Sequence, residues 1–270
     1  MDKRFIKKKF IERLGYPLNL NNPQTFNEKI HWLQLNERSS YKTLCVDKYE
    51  VRDIIKKLIG EKHLIPLHFQ CKTADGLDSF KWPNEPIIIK TNHASGQVFI
   101  LKSEKQFVDE IDKIKKQLTK QLNYNFYHAQ REWQYKNISP CIIVEKLLLM
   151  NANKIPNDYK FHCFNGKAKF IQVDSERFTE HRRIIYDTNW QEQKLEWRFP
   201  KANPTAAPPT LNKMIQLAEK LAAQFSYVRV DLYEVNNQIY FGELTFTPAA
   251  GLEPFHPEAI DKEWGEELNL

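Results

Sequence analysis

The spacing of apolar residues predicts helices at the start of the chain and strands through most of the rest. Residues 1–40 carry mostly helical patterning, beginning with DKRFIKKKFIERL, where Phe5, Ile6, Phe10, Ile11 and Leu14 interleave with basic side chains. After the turn-rich connector YPLNLNNP, Thr25 and Glu28 have capping-box spacing ahead of KIHWLQLNER. Asp47 is placed to cap a helix over KYEVRDIIKKLIG, with Val51, Ile54, Ile55 and Leu58 as its apolar face and Gly60 as its stop. Lys48 and Arg52, four apart, would then share a side of that helix. Residues 63–70 form a short apolar run of strand type. PIIIK (86–90) and QVFILK (97–102) predict strands around the small-residue loop TNHASG. Ser103 and Gln106 open a helix with Phe107, Ile111, Ile114, Leu118 and Leu122 at helical spacing. The stretch YNFYHAQREWQY fits no element and reads as a lid or an edge.

Residues 141–144 read as a buried strand ending at Glu145. DYKFHCF, a turn at Asn165-Gly166 and KAKFIQVDSE form a hairpin signal. KANPTAAPPT, residues 201–210, reads as a linker. Thr210 is placed to cap a helix with Met214, Leu217, Leu221 and Phe225 inward, and the tail HPEAIDKEWGEELNL closes the chain as another helix.

The stretch YVRVDLYEVNNQIYFGELTFTPAAG, residues 227–251, concentrates the chemistry. It reads as strand, turn, strand and a Pro/Gly loop, with Asn236-Asn237 at the turn. A two-residue loop would set Asp231 against Gly242 and send Asp231 and Glu243 to opposite faces. A three-residue loop, Asn236 to Gln238, sets Asp231 opposite Glu243 and Arg229 opposite Thr245. Two directly opposed carboxylates repel, and a divalent cation between them removes that cost, Mg2+ being suited to such oxygen ligands. A solvated face carrying a chance acid pair is the competing reading.

Composition narrows the class. With 270 residues and 41% hydrophobic content the chain is globular, either one domain or two joined lobes. Its formal charge of +6 suits an anionic substrate without the clustered basic stripe of a nucleic-acid binder. Four cysteines, Cys45, Cys71, Cys141 and Cys163, lack metal-ligand spacing and suit a reducing, cytoplasmic setting. No signal peptide or membrane-crossing run is present. The basic N-terminus reads either as a helix docked on the core or as a surface for peripheral membrane contact.

Lys90 stands at the base of TNHASG, a loop rich in backbone N–H groups and hydroxyls that can wrap phosphate oxygens. It is not a Walker P-loop, because GxxxxGK[ST] is absent. An ordinary hairpin turn is the alternative. His181, Arg182 and Arg183 form a basic triplet suited to a carboxylate or phosphate, or to a solvated strand end.

Taken together, LNNPQTFNEKIHWLQL, VDKYEVR, IIIKTNHASGQ, DYKFHCFNGK and the 227–251 stretch resemble the ATP-grasp superfamily, and within it the teichuronopeptide-biosynthesis (TupA-like) group. The resemblance implies an α+β ATP-grasp fold, two lobes whose antiparallel sheets grip ATP. It implies an N-terminal lobe (47–144) and a C-terminal lobe (145–270); where larger ATP-grasp ligases place an α/β domain ahead of these, this sequence departs from them with a reduced helical N-terminal region (1–46). Lys48, Lys90 and Lys160 would contact the ATP phosphates, with Ser95 and Gly96 in the covering loop. Glu145 and the backbone near Lys146 and Leu148 would hold adenine, and Asp158 the ribose. Arg229, with Lys160 and Lys90, would serve catalysis, and Asp231, Glu243 and Thr245 would hold Mg2+. Thr245 stands where related ligases commonly have Asn. His93, His181, Arg182 and Arg183 are candidate contacts for the acceptor substrate.

The implied activity is carboxylate–amine ligation with ATP and Mg2+, proceeding through an acyl phosphate. The acid would be a sugar acid or polysaccharide precursor, the amine an amino acid, in cell-surface polysaccharide biosynthesis. A glycosyltransferase using a sugar nucleotide is the alternative, disfavoured by the lack of a DxD within a βαβ pattern. A non-catalytic ATP-binding scaffold is a third reading, disfavoured by the retained lysines, acids and arginine.

Overall fold

The computed structural model describes residues 1–94, 96–151, 154–176 and 179–270. The helices are α1 (Asp2–Leu14), α2 (Phe26–Asn36), α3 (Ser40–Val46), α4 (Val51–Leu58), α5 (Glu104–Leu122), α6 (Tyr127–Gln130), α7 (Leu211–Ala222) and α8 (Ala259–Glu266). The strands are β1 (Leu67–Cys71), β2 (Ile87–Thr91), β3 (Phe99–Leu101), β4 (Ile142–Lys146), β5 (Asp158–Phe164), β6 (Lys167–Ser175), β7 (Arg182–Asp187), β8 (Tyr227–Val235) and β9 (Gln238–Thr245). They form two antiparallel sheets, ordered β1-β4-β2-β3 and β7-β6-β5-β8-β9.

Each sheet turns one face to a helix-covered core. In the first, Ile87, Ile89, Ile142 and Val144 pack with Ile114 and Leu118 of α5. The alternation of β2 sends Ile88 and Lys90 to the opposite face. In the second, Phe161, Val173, Val228, Val230 and Leu232 pack with Met214, Leu217 and Leu221 of α7. Val51 and Ile55 of α4 join this second core, so α4 is buried against the second sheet although it was expected in the N-terminal lobe. β4 also runs to Lys146, two residues past the boundary expected at 144.

The other face of the second sheet is half aromatic and half charged. Phe26 of α2 fills the aromatic half, its ring centroid 5.1 Å from Tyr227, 5.5 Å from Trp264 and 5.8 Å from Phe164. The capping box at Thr25 and Glu28 forms as expected. Asn27 donates to the Asp261 carboxylate through its backbone N–H at 2.9 Å and its side chain at 3.0 Å, binding α2 to α8. A Cβ on Gly265 would fall 2.1 Å from the Gln24 carbonyl, so only glycine lets the two segments touch there. Helix α1 buries Ile6 and Phe10 and leaves Lys3, Arg4, Lys7 and Lys8 exposed, as a helix docked on the core does.

Several local expectations are corrected. Asp47 does not cap α4 directly: its Oδ1 accepts from the N–H groups of Tyr49 at 2.8 Å and Glu50 at 3.2 Å. Lys48 therefore sits in a turn that leads into the helix. The Thr210 side chain makes no capping bond. The run at 63–70 is a 3-10 turn, Glu61–His63, followed by β1. The Pro-rich stretch at 201–210 is no free linker. The Arg183 carbonyl accepts from Ala202 N–H at 2.8 Å, and Tyr186 Oη accepts from Thr205 N–H at 2.9 Å, so the segment covers the edge at β7.

The hairpin gives the expected pairing by a different route. Val235 pairs with Gln238 across a two-residue turn, with Asn236 and Asn237 at φ 53° and 64°. The type I′ geometry suits the strand twist better than a three-residue loop does. Phe241 pairs with Leu232 and Glu243 with Asp231, leaving Gly242 as the extra residue of a β-bulge. The bulge shifts the register by one and returns both carboxylates to the same face. A Cβ on Gly242 would lie 3.0 Å from Tyr233 Cε2 and 3.1 Å from Asp231 O. Gly242→Ala is therefore expected to lower the unfolding free energy by about 1–2 kcal/mol, measured by urea denaturation. An unchanged midpoint would remove the bulge's steric requirement for glycine.

Candidate functional site

The charged half of the second sheet and the free face of the first enclose a cavity of about 190 Å³. Lys48, Lys90, Gly96, Glu145, Lys146, Leu148, Asp158, Asp231 and Glu243 line it, among the residues expected from the sequence. Ser95 lies outside the described residues. The apolar part of the lining includes Ile65, Ile88, Val98, Leu147 and Ile155.

On the first sheet, Lys90 Nζ lies 2.6 Å from Glu145 Oε2 and Arg52 Nη1 lies 3.0 Å from Glu145 Oε1. A buried carboxylate thus holds two cations, and its removal would leave both unpaired in a poorly hydrated place. Glu145 serves Lys90 and Arg52 with its carboxylate, which is a different task from the adenine contact expected of it. The Lys146 side chain turns away to Glu85, 2.7 Å from it.

On the second sheet the register stacks the acids. Asp231 faces Lys160 on one side and Glu243 on the other. Lys160 Nζ donates to both Asp158 and Asp231 at 2.5 Å. Arg229 binds Asp231 bidentately at 2.7 and 2.8 Å and reaches Glu243 at 3.1 Å and Thr245 Oγ1 at 3.0 Å. Thr245 Oγ1 in turn donates to Glu243 at 3.3 Å. Burial raises the Asp231 carboxyl, while Arg229 and Lys160 pull it down. Burial works against the charge of Arg229, yet Asp231 and Glu243 hold it above its ordinary value. Two cations, Lys160 and Arg229, and three carboxylates, Asp158, Asp231 and Glu243, thereby offset one another, with only Glu243 partly open to solvent.

Lys48 joins the two sides. Its Nζ donates to the Ala94 carbonyl at 2.9 Å and stands 3.7 Å from Glu243. Burial, aided by Lys90, lowers its pKa. Buried Asn92 anchors the loop: it donates to Asp47 at 2.9 Å and accepts from Cys141 N–H at 2.8 Å.

The four acceptor candidates do not line this cavity. His93 is buried with Nε2 3.2 Å from the carbonyls of both Gln121 and Tyr124, and burial lowers its pKa. It ties the loop to the end of α5. Arg183 is spent on Asp174 at 2.7 and 3.0 Å. His181 stacks on Phe199 with centroids 3.7 Å apart, and Arg182 is exposed beside Glu180.

Sequence reasoning missed Arg52 as a site residue, although its spacing from Lys48 signalled a shared side. It also left residues 123–136 without a place. They form α6 and the 3-10 turn Trp133–Tyr135, which brings buried Glu132 against Thr247 and sets Tyr135 among the charges of Glu243, Arg229 and Asp231.

Among the described residues no group of three or more His, Cys, Asp or Glu side chains is arranged to hold a metal ion. The opposed Asp231 and Glu243 still fit Mg2+ in donor chemistry, since that ion takes one or two protein carboxylates and fills its shell from phosphates and water.

Two antiparallel sheets closing on a cation- and carboxylate-lined cleft define an α+β protein of the ATP-grasp kind. A family model described as TupA-like ATPgrasp matches residues 28–269, and the chain belongs to that family. No curated protein matches. Among solved structures, the chain is similar to a D-alanine–D-alanine ligase from Helicobacter pylori at 15% identity and TM-score 0.46, covering 90% of this chain and 65% of that one. It is similar to the ATP complex of a D-alanine–D-alanine ligase from Bacillus anthracis at 15% identity and TM-score 0.42, covering 75% and 55%. Similarity to the ATP-grasp ligase PsnB with minimal precursor, Mg and ADP is at 10% identity and TM-score 0.41, covering 82% and 57%. The chain therefore spans less than two thirds of the length of each of these proteins.

Glu132 supplies a pH test of the arrangement. Burial raises its carboxyl to about 7, with the Thr247 hydroxyl pulling the other way. The folded protein then keeps a proton that the unfolded chain loses above its ordinary value of 4.5, so stability falls as pH rises through that window. Glu132→Gln is expected to remove up to about 3 kcal/mol of this pH dependence between those two values. Denaturant titrations at several pH values check it, and parallel curves for both proteins would refute it.

Proposed function

We propose that this protein is an ATP- and Mg2+-dependent carboxylate–amine ligase working through an acyl phosphate. The observation that carries the reading is the placement of Lys48, Lys90 and Asp231 with Glu243 around one cleft between two antiparallel sheets, backed by Lys160 and Arg229. The apolar lining suits a flat base, and the charged end suits a triphosphate. Family membership supports the same nucleotide.

A carboxylate is a poor electrophile because its leaving group would be oxide. In the proposed reaction a substrate carboxylate oxygen attacks the γ-phosphorus, the bond to the bridging oxygen breaks, and ADP departs. An amine nitrogen then attacks the acyl carbon and gives up a proton. The C–O bond to phosphate breaks, leaving amide and inorganic phosphate. Lys48 and Lys90 neutralise charge on the phosphates, and Arg229 follows charge on the transferring group. Lys160 holds Asp158 and Asp231 in place. Asp231 and Glu243, with Thr245 beside them, would hold Mg2+, whose bound charge polarises phosphate oxygens. The loop tethered through Lys48 and Asn92 keeps water from the acyl phosphate.

The family resemblance argues for an acid partner that is a sugar carboxylate of a cell-surface polysaccharide precursor and for an amino acid as the amine. The need for ATP argues for a cytoplasmic reaction, and among the described residues no helix is long and apolar enough to cross a membrane. The test is purified protein with Mg-ATP and candidate acid–amine pairs. ADP and phosphate are expected only when both partners are present, and ADP formed at the same rate without an amine would overturn the reading. Arg229→Lys, which keeps a cation but loses the bidentate clamp, is expected to lower kcat by roughly 100-fold or more. Unchanged circular dichroism would separate this loss from unfolding.

A further inference from the structure

A second groove of about 360 Å³ lies between the loop after β2 and the end of α5, lined by Ala94, Gln97, Lys120, Gln121, Tyr124 and Phe126. Its volume lies in the range of small-molecule sites, about 300–1,000 Å³. Ala94 belongs to both cavities, and its carbonyl is the one that accepts from Lys48. One loop thus forms a wall of the groove and a wall of the nucleotide cleft.

The lining has a particular chemistry. Tyr124 is 48% exposed, one of few large apolar side chains left so open. Its ring meets Phe126 edge-on at 6.5 Å, and Phe126 meets Tyr135 at 5.4 Å. Tyr135 lies among the charges of Glu243, Arg229 and Asp231. A row of three rings therefore leads from the groove to the charged centre. Gln121 donates to Gln97 Oε1 at 2.7 Å and accepts from the Thr91 hydroxyl at 3.3 Å. This fixes both amides and leaves the Gln97 N–H groups as donors. Lys120 is exposed and has no acidic partner among the described residues.

Open aromatic faces suit the C–H face of a pyranose, fixed amides suit its hydroxyls, and one unpaired ammonium suits one carboxylate. We infer that this groove is the subsite for one sugar of an acidic oligosaccharide, the acid partner of the ligation: the carboxylate that Lys120 holds is not the one that reacts, and a neighbouring sugar supplies the reacting carboxylate to the cleft. The inference rests on the ligase reading for the partner's fate. The occupancy of the groove does not depend on it.

The test is calorimetric titration of the protein, first with Mg-AMPPNP and then with trigalacturonate, maltotriose or triglutamate. Trigalacturonate is expected to bind most tightly of the three. Tyr124→Ala is expected to weaken it roughly five- to tenfold while Tyr124→Phe does not. Lys120→Ala is expected to weaken it by a similar factor, with a loss of its salt sensitivity. Because Tyr124 and Lys120 are both exposed, Mg-AMPPNP affinity is expected to stay unchanged in these variants. Failure of trigalacturonate to bind, equal binding in the alanine variants, or preference for triglutamate would each overturn the groove assignment. Absence of Mg-AMPPNP binding alongside variant-sensitive trigalacturonate binding would keep the groove and remove the ligase reading.

Discussion

Asp231 is held by Arg229 on one side and by Lys160 on the other, at 1% exposure. A lone carboxylate at that depth would either protonate or pull the strand toward solvent. A bidentate guanidinium and an ammonium offset the cost that burial places on its charge, and neighbours are recruited to satisfy those cations in turn. Lys160 needs Asp158, and Arg229 needs Glu243 and Thr245. The charged half of the second sheet is one such chain of obligations. It is stable only as a set, which is why five strand positions of the same facing, Asp158, Lys160, Arg229, Asp231 and Glu243, carry charge while Phe161, Val228, Val230 and Leu232 on the other face are apolar.

The same sheet face could not remain charged along its whole length. Its far half is closed by Phe26, Trp197, Phe255 and Trp264 from segments well apart in sequence. The short N-terminal region thus has a structural task that its length does not suggest. It plugs the sheet where the charges end and leaves the cleft open where they lie. Lys29 adds to this by donating to the carbonyls of Gly265 at 2.8 Å and Leu268 at 2.7 Å, fastening α2 to the end of α8.

How much of this was legible in the sequence depended on whether the signal was local. Alternation along β8 is a property of neighbouring residues, and Arg229 and Asp231 share the face of the strand that it gives them. The capping box at Thr25 is equally local. The facing of Asp231 and Glu243 was also foreseen, but through a three-residue turn. The actual device is the bulge at Gly242, whose only mark in the sequence is one glycine inside a strand pattern. What could not be read was tertiary. His93 looked like a cleft residue because its loop is one, and its ring is instead claimed by two carbonyls of α5 and its end. The aromatic stretch 123–136 lacked periodicity because its helical pieces, α6 and the turn Trp133–Tyr135, are too short to show one, and contacts to Thr247 and Asp2 place them.

Lys48 links two sheets that have separate cores. It hydrogen-bonds to a carbonyl of the loop that extends the first sheet and stands within ion-pair distance of Glu243 on the second. Its own turn is fixed by Asp47, and Asp47 is fixed by Asn92 at the base of that loop. A cation in this position has lowered affinity for its proton from burial and from Lys90, so it gains by approaching any added negative charge. Phosphate oxygens entering the cleft would offer that charge from the side opposite Glu243. The loop carbonyl and the hairpin carboxylate would then be drawn toward the same anion through a single ammonium.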